Sequence, residues 1–344
     1  MIADNIGGMI DVMNELRPTT GEEVFHYVSM DKASYIMGPE GDIYCGHSNF
    51  LNDKLESWQG CLEILKNLRR YIPSEPYQAI EYYLRENSAL AKLTTSGYSY
   101  FMPYVWCVMP ERDSVYQWRN YTDKQNGGYC FGFNLKRLRE VCKCRNERYC
   151  KSSALFLAPC FYIDEDKDLI CEFMERFVEL AREDIEKIKI EKTPDGTLKF
   201  DPALQDIIAA ILTLAPVFKD KKWRREEERR LILKKSPVIV GKTYERSHLS
   251  DICEHPYNLM SSITISPHGN QAELVHNLQS KIAIVPGQMS FSDVDKTFVD
   301  YYITKGNEDI GKNFEEYVIF HAKKDKKAPI MSQEEFFAKP EKGS

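Results

Sequence analysis

A chain of 344 residues with 43% hydrophobic and 28% charged side chains has the composition of an ordinary globular protein, which excludes a disordered one. Its formal net charge of -6 argues against a surface built to wrap duplex nucleic acid, because that needs a basic stripe. A local basic rim remains compatible, with Lys219, Lys221, Lys222, Arg224 and Arg225 as its candidates.

The start, Met1-Ile2-Ala3-Asp4-Asn5, lacks a basic region followed by an apolar core, so the expected location is cytoplasmic. No apolar run reaches the roughly eighteen residues of a membrane helix. The nearest, around Ile207 to Val217, is interrupted by Pro216. Residues 1–23 read as an N-terminal extension, 24–322 as one α+β domain and 323–344 as a poorly ordered tail.

Runs rich in β-branched and aromatic residues predict strands at Val24–Met30, Ile43–Cys45, Tyr104–Met109, Tyr129–Phe133, Leu155–Ile163, Leu231–Lys234, Val238–Val240, Ile263–Ser266 and Tyr317–His321. Asn126-Gly127-Gly128 and Pro194-Asp195-Gly196 read as turns. Residues 54–70 and 76–91 read as paired helices, with Pro73 and Pro76 breaking the link. Leu169 to Ile190 carries Phe173, Phe177, Leu180, Ala181, Ile185 and Ile188 at helical spacing, an amphipathic helix. Residues 202–218 are apolar all round and predict a buried helix, which completes a helical block at 168–218.

Ten cysteines at irregular spacing read as reduced thiols. Cys142, Cys144, Cys150 and Cys160 contain no Cys-x-x-Cys pair, so no metal site is expected there. Cys45 and His47 are discounted on the same ground.

Four short constellations carry chemistry-bearing residues. His26-Tyr27 within a strand sends the two rings to opposite faces, so one faces a site while the other packs. In Asn52-Asp53-Lys54-Leu55-Glu56, Asn52 or Asp53 caps the following helix and Glu56 favours its dipole, an account that needs no function. Ser114 to Tyr121, with Tyr116, Trp118, Arg119 and Tyr121, precedes a glycine turn; its aromatics suit either a flat heterocycle or a small core, and Arg119 suits a phosphate. Last, Trp223-Arg224-Arg225-Glu226-Glu227-Glu228-Arg229-Arg230 runs into apolar Leu231-Ile232-Leu233. On a strand Glu226 and Glu228 share a face, an arrangement suited to one acid stabilising a developing cation while the other steers a nucleophile. The alternative is a solvated charge run with Glu226 and Arg230 paired at i,i+4.

In this order the motifs resemble the bacterial domain-of-unknown-function family 2971. The resemblance rests on His26-Tyr27-Val28-Ser29, Asn52-Asp53-Lys54-Leu55-Glu56, Trp118-Arg119-Asn120-Tyr121, Gly128 to Phe133, and Trp223 through Glu226 and Glu228 to Arg230. Ile263-Thr264-Ile265-Ser266-Pro267 resembles the last strand of that family, and coverage runs over roughly residues 24–285. Val28 departs from the usual hydroxyl residue. That family in turn looks like the ADP-ribosyltransferase fold, which implies a split antiparallel β-sheet core with helical insertions and NAD as co-substrate.

The resemblance implies that Glu228 is the catalytic acid residue and that Glu226 orients or deprotonates the acceptor. It implies NAD-binding roles for His26 at a ribose, for Tyr27 or Tyr121 beside the nicotinamide, and for Ser29, Trp118 and Arg119. The usual serine-led second motif is absent around Trp118, Ser114 being the nearest serine. The implied activity is transfer of ADP-ribose to a protein or single-stranded nucleic acid. An effector of the toxin or phage-defence type, with an antitoxin or chaperone partner and no membrane, is the implied setting. An NAD glycohydrolase and a catalytically silent nucleotide- or partner-binding module are the alternatives.

Overall fold

A computed structural model describes residues 2–37, 43–48, 51, 56–85, 102–149, 153–191, 194, 201–235, 239–240, 243–244, 247–248, 259–281 and 289–293. The predicted strand at Tyr317–His321, the tail at 323–344, the proposed cap at Asn52 or Asp53 and most of the Pro194-Asp195-Gly196 turn lie outside these residues. The fold is mixed α+β with antiparallel sheets and several helices. The chain divides into two compact units, the first made of Met1–His26, Glu40–Glu111 and Phe133–Met260, the second of Tyr27–Pro39, Arg112–Gly132 and Ser261–Ser344.

The first unit is built on a five-stranded antiparallel sheet. Its strands are β2 (Tyr44–His47), β3 (Tyr104–Val108), β5 (Ser153–Pro159), β8 (Arg229–Lys235) and β11 (Ser247–His248), in the order β11-β2-β3-β8-β5. Strand β8 lies between β3 and β5, with Leu231 opposite Trp106 on one side and Leu157 on the other. Three consecutive apolar residues, Leu231, Ile232 and Leu233, are fully buried in it, which requires cover on both faces of the sheet.

Helices α1 (Ile2–Leu16), α3 (Glu56–Tyr71), α4 (Ser74–Arg85), α7 (Lys167–Glu186) and α8 (Pro202–Leu214) share the core of this unit. Residues 1–23, expected as an extension, thus carry a core helix. Ile6, Met9, Ile10 and Met13 recur at the i, i+3, i+4, i+7 spacing of one helical face, and all are buried. Helix α8 is starred with buried residues all round, from Ile207 to Leu212, as its sequence demands. Its start is fixed by Asp201, whose carboxylate accepts from the amides of Ala203 (2.8 Å) and Leu204 (3.2 Å), with Pro202 following. Pro76, expected at the link between the paired helices, sits in the first turn of α4, where its missing N–H has no partner to lose.

After α8 the chain tightens into a 3-10 turn, Ala215–Val217, and then forms β7 (Phe218–Asp220), which pairs in parallel with β6 (Phe161–Ile163). Helix α3 meets that turn through Gly60: a Cβ there would lie 1.9 Å from the carbonyl oxygen of Ala215. This close approach sets the distance between α3 and the turn leading into β7.

The second unit contains α2 (Met30–Met37), α5 (Val115–Tyr121), α9 (Gln271–Lys281), β12 (Met260–Ile265) and β13 (Met289–Phe291). Strands β1 (Glu23–Ser29), β4 (Gly128–Asn134), β12 and β13 form a four-stranded sheet of order β1-β4-β12-β13. Its β12–β13 pair is parallel, a departure from the purely antiparallel expectation. Gly127 (φ 71°) and Gly269 (φ 86°) take left-handed backbone conformations there.

Replacing a helical glycine by alanine ordinarily stabilises a protein by up to about 1 kcal/mol. Gly60→Ala is expected to do the opposite, costing about 2–4 kcal/mol through the clash with Ala215. A urea-unfolding midpoint at or above that of the wild type would show that α3 and the turn are not in contact.

Candidate functional site

Glu226 and Glu228 do not lie on a strand. Lys221–Glu226 forms a 3-10 helix whose start is capped by Asp220, its carboxylate accepting from the Lys222 amide at 2.9 Å. Glu227 then adopts a left-handed conformation (φ 44°, ψ 34°), and its N–H donates to the Arg224 carbonyl at 3.2 Å. The Glu228 amide donates to the Tyr162 hydroxyl (2.9 Å), and the Glu228 carbonyl accepts from the Cys160 amide (3.0 Å). Only at Arg229 does β8 begin. Strand alternation is therefore not what juxtaposes the two carboxylates; a helical turn closed by a left-handed residue is.

Both acids converge on the ammonium of Lys219. Its Nζ donates to Glu226 Oε2 at 2.6 Å and also to Glu228 Oε2, and lies 3.8 Å from Glu56 Oε1. Arg230 completes the cluster, its Nε donating to Glu228 Oε1 (2.8 Å) and its Nη2 to Glu56 Oε1 (2.7 Å). Its Nη1 donates to the Pro216 carbonyl, so the 3-10 turn after α8 is tied to the same group. Glu226 and Glu228 are each 1% exposed, Arg230 2%, and Lys219 and Glu56 4%. Charges this deep are tolerated because each has an opposite charge at hydrogen-bonding distance.

The electrostatics follow from that geometry. Burial alone raises the Glu228 carboxyl, but the Arg230 guanidinium and the Lys219 ammonium reverse the effect and hold it well below the usual range. For Lys219 burial favours the neutral amine, yet Glu228 overrides it and keeps the ammonium charged. Glu56 goes the other way: burial dominates over Arg230 and Lys219 and raises its carboxyl. The dry interior thus contains one carboxylate firmly ionised and another biased towards its acid form.

Sequence reasoning had placed Lys219 on a basic rim and had given Glu56 a role only at the start of a helix. The structure buries both in the cluster. Tyr162, which holds the Glu228 amide, was missed; its sole signal was its place in an apolar strand. The i,i+4 alternative for Glu226 and Arg230 gives way to Arg230 pairing with Glu228 and Glu56.

His26 joins this region through β3. The antiparallel bridge between Phe25 and Met109 sets β1 beside β3 there. The His26 Nδ1 then meets the Cys107 carbonyl at 2.8 Å, an acceptor that places the proton on Nδ1 and leaves Nε2 as an acceptor. The Trp106 ring lies 4.9 Å away. Cys107 stands opposite Arg230 across the β3–β8 pair, and burial with the charge of Glu228 pushes its thiol well above the ordinary value. Burial lowers the His26 imidazole to about 4, with the bond to Cys107 opposing weakly, so the ring is neutral at physiological pH. His26, Glu226 and Glu228 thus all belong to the first unit, the two carboxylates joined through Lys219 and His26 held on the Cys107 carbonyl of β3.

The other predicted site residues belong to the second unit. Tyr27 (3% exposed) and Trp118 (0%) are core residues, their rings edge to face with centroids 4.8 Å apart. The Tyr27 hydroxyl accepts from the Ser114 amide (2.8 Å), and the Trp118 indole donates to Asp113 Oδ1 (2.6 Å). Neither ring presents a face on which a nicotinamide or another heterocycle could stack, so those two expectations are corrected. The small-core alternative for the aromatics of α5 accounts for Trp118. Ser29, Arg119 and Tyr121 are half-buried.

Among the described residues no helix is long and apolar enough to cross a membrane. Residues 117–231 match the model of a family described as "Protein of unknown function (DUF2971)". The match runs from α5 to the third residue of β8, taking in Lys219, Glu226, Glu228 and Arg230, while His26 and Glu56 precede it. No curated protein and no solved structure matches the chain.

Removing the ammonium from three facing carboxylates leaves buried charge uncompensated, and Lys219→Met is expected to cost about 3–5 kcal/mol. A denaturation midpoint within error of the wild type would show that the cluster is not formed in solution. His26 supplies a pH test. An imidazole at about 4 when folded and 6.5 when unfolded contributes stability that is complete above pH 6.5 and is lost as pH falls towards 4, because the unfolded chain takes up the proton first. His26→Gln should flatten the stability profile across that window; an unchanged slope would place His26 in water.

Proposed function

We propose that this chain is an NAD-dependent ADP-ribosyltransferase, with a fold of that type, that cleaves the nicotinamide–ribose bond and transfers ADP-ribose to a macromolecular acceptor. The observation that carries this reading is the convergence of Glu226 and an ionised Glu228 in one buried place, with the neutral His26 held by the Cys107 carbonyl of β3. Nicotinamide departs with the electron pair of the glycosidic bond, and the ribose is left with oxocarbenium character. A carboxylate held ionised by its surroundings stabilises that charge, the more so where water is scarce. Glu226 takes the proton of the attacking acceptor group. His26, with Nε2 as an acceptor, suits a ribose hydroxyl.

This chemistry requires Lys219 to release Glu228 when NAD enters, since an ammonium in contact with the carboxylate cancels the field that a cationic ribose would feel. The acceptor is a protein or a single-stranded nucleic acid, in keeping with a net charge of -6. An effector of toxin or phage-defence type, with an antitoxin or chaperone partner and a cytoplasmic location, is the setting that accords with the family resemblance.

One observation favours a second reading. Both oxygens of Glu228 are already engaged, by Arg230 and by Lys219, at 1% exposure. A cluster so well satisfied also suits a catalytically silent module that binds a nucleotide or a partner.

Incubation of the purified chain with radiolabelled NAD and cell lysate, with and without nuclease, separates the readings. Label on macromolecules is expected with the wild type and at least about 100-fold less with Glu228→Gln, both proteins having been shown to be folded by thermal melting. Nicotinamide release without labelled macromolecules would make water the acceptor and the protein a glycohydrolase. NAD binding without turnover, unaltered by Glu228→Gln, would overturn the transferase in favour of the binding module.

A further inference from the structure

On β8 the side chain following Glu228 takes a different path from the carboxylate cluster. Arg229 is 6% exposed, and its guanidinium donates to Thr19 Oγ1 (2.9 Å), the Pro18 carbonyl (3.3 Å) and the Glu228 carbonyl (3.5 Å). All three acceptors are neutral, and among the described residues no carboxylate pairs with it. Buried charges are ordinarily paired, so a guanidinium satisfied only by neutral oxygens is an exception that asks for an anion.

Two more arginines stand in the same neighbourhood. Arg17 and Arg224 both lie over the Tyr162 ring, their guanidinium carbons 5.1 and 5.0 Å from its centroid. Both also share one carboxylate: Arg17 Nη1 pairs with Asp166 Oδ2, and Arg224 Nη1 reaches the same oxygen only at 3.8 Å. Asp166 Oδ2 is further engaged by the Tyr162 amide at 2.7 Å. Arg224 Nη1 is buried without a hydrogen-bond acceptor, although the side chain as a whole is 35% exposed. The remaining acid in ion-pair range is Glu165, 3.4 Å from Arg224 Nε and 45% exposed. Glu227, two residues before Arg229, is exposed and only partly offsets the burial of that guanidinium.

Among the described residues, Asp166 and the half-exposed Glu165 are thus the carboxylates in ion-pair range of Arg17 and Arg224, Arg17 also donates to the Cys160 carbonyl at 2.9 Å, and Arg229 has no such pair. Burial holds the Arg229 guanidinium below its ordinary value, and the like charge of Arg17 adds to the effect. A bound anion would relieve both penalties and satisfy the buried N–H of Arg224. Guanidinium groups favour phosphoryl oxygens because their forked N–H donors match that geometry. Thr19, half-buried and already in contact with Arg229, adds a hydroxyl.

We propose that Arg17, Arg224 and Arg229, with Thr19, form a binding site for a phosphoryl or pyrophosphoryl group, distinct from the Glu226–Glu228 cluster. Arg224 is its more exposed member and Arg229 its buried one. The site does not depend on the transferase reading and would serve a silent binding module equally.

The experiment follows the thermal midpoint of the full chain against inorganic pyrophosphate, at ionic strength held constant with chloride. A saturable rise is expected with the wild type. Arg224→Gln, a change at a partly exposed side chain, should weaken the apparent affinity at least tenfold. Lys221→Gln removes the same charge from an exposed position nearby and should leave the affinity unchanged. ADP and a short single-stranded oligonucleotide, each added in competition, would tell a nucleotide from a polynucleotide as the source of the phosphoryl group. No rise beyond the chloride control would overturn the proposal, as would equal weakening by Arg224→Gln and Lys221→Gln, the mark of a general charge effect.

Discussion

The interaction on which the first unit turns is the contact between Lys219 and Glu228, with Arg230 closing over the same carboxylate. Five charged side chains meet there in the interior, and they come from four different pieces of chain: Glu56 from α3, Lys219 from β7, Glu226 and Glu228 from either side of a left-handed residue, and Arg230 from β8. Desolvating each charge is costly, and only the simultaneous arrival of its partners offsets that cost. The cluster therefore constrains how these elements dock, because any arrangement that omits one of them strands a buried charge. Arg230 extends the constraint to Pro216, and Gly60 brings α3 within contact distance of the same turn. The helices around it contribute the apolar burial; the ions decide which faces meet.

The cluster also sorts its titratable groups. Glu228 is held ionised by two cations, Glu56 is biased towards its acid form by burial, and His26 is kept neutral. Groups of ordinary solution behaviour pushed apart in this way are typical of places where protons or charges are handled, although structural ion networks do the same. His26 is held by the carbonyl of Cys107, the residue that stands opposite Arg230 across the β3–β8 pair. The strand β8 has a second consequence. Arg230 turns to the ion cluster while Arg229, before it on the strand, turns to Pro18 and Thr19, as alternation along a strand requires. Two chemically different environments are thereby set within three residues.

The aromatic residues of the Ser114–Tyr121 segment show how far residue type can mislead. Tryptophan and tyrosine beside an arginine suit a flat ligand, but the same residues suit a core, and Trp118 and Tyr27 pack against each other at 0% and 3% exposure. Their polar atoms are met by Asp113 and by the Ser114 amide, so nothing is left over for a ligand. Lys219 is the converse case. A lysine near Lys221, Lys222, Arg224 and Arg225 looks like part of a solvated rim, whereas β7 carries it inward to face three acids.

Much of the architecture could be read directly from periodicity and composition. The amphipathic face of α7, the uniformly apolar α8 with its Asp201 cap, and the strand at Leu231 to Leu233 follow from local spacing, because burial of a helical stripe or a two-faced strand leaves a regular trace in the residues. The proximity of Glu226 and Glu228 was legible too, but for the wrong reason, since a left-handed Glu227 replaced the expected strand. The tertiary structure alone decided that Glu56, Lys219 and Arg230 complete the cluster, that Tyr162 anchors it, and that residues 2–16 belong to the core. Those outcomes depend on contacts between residues as far as 174 positions apart in Glu56 and Arg230. Local spacing records which face of an element is apolar; it holds no record of which distant charge will lie across from a buried one.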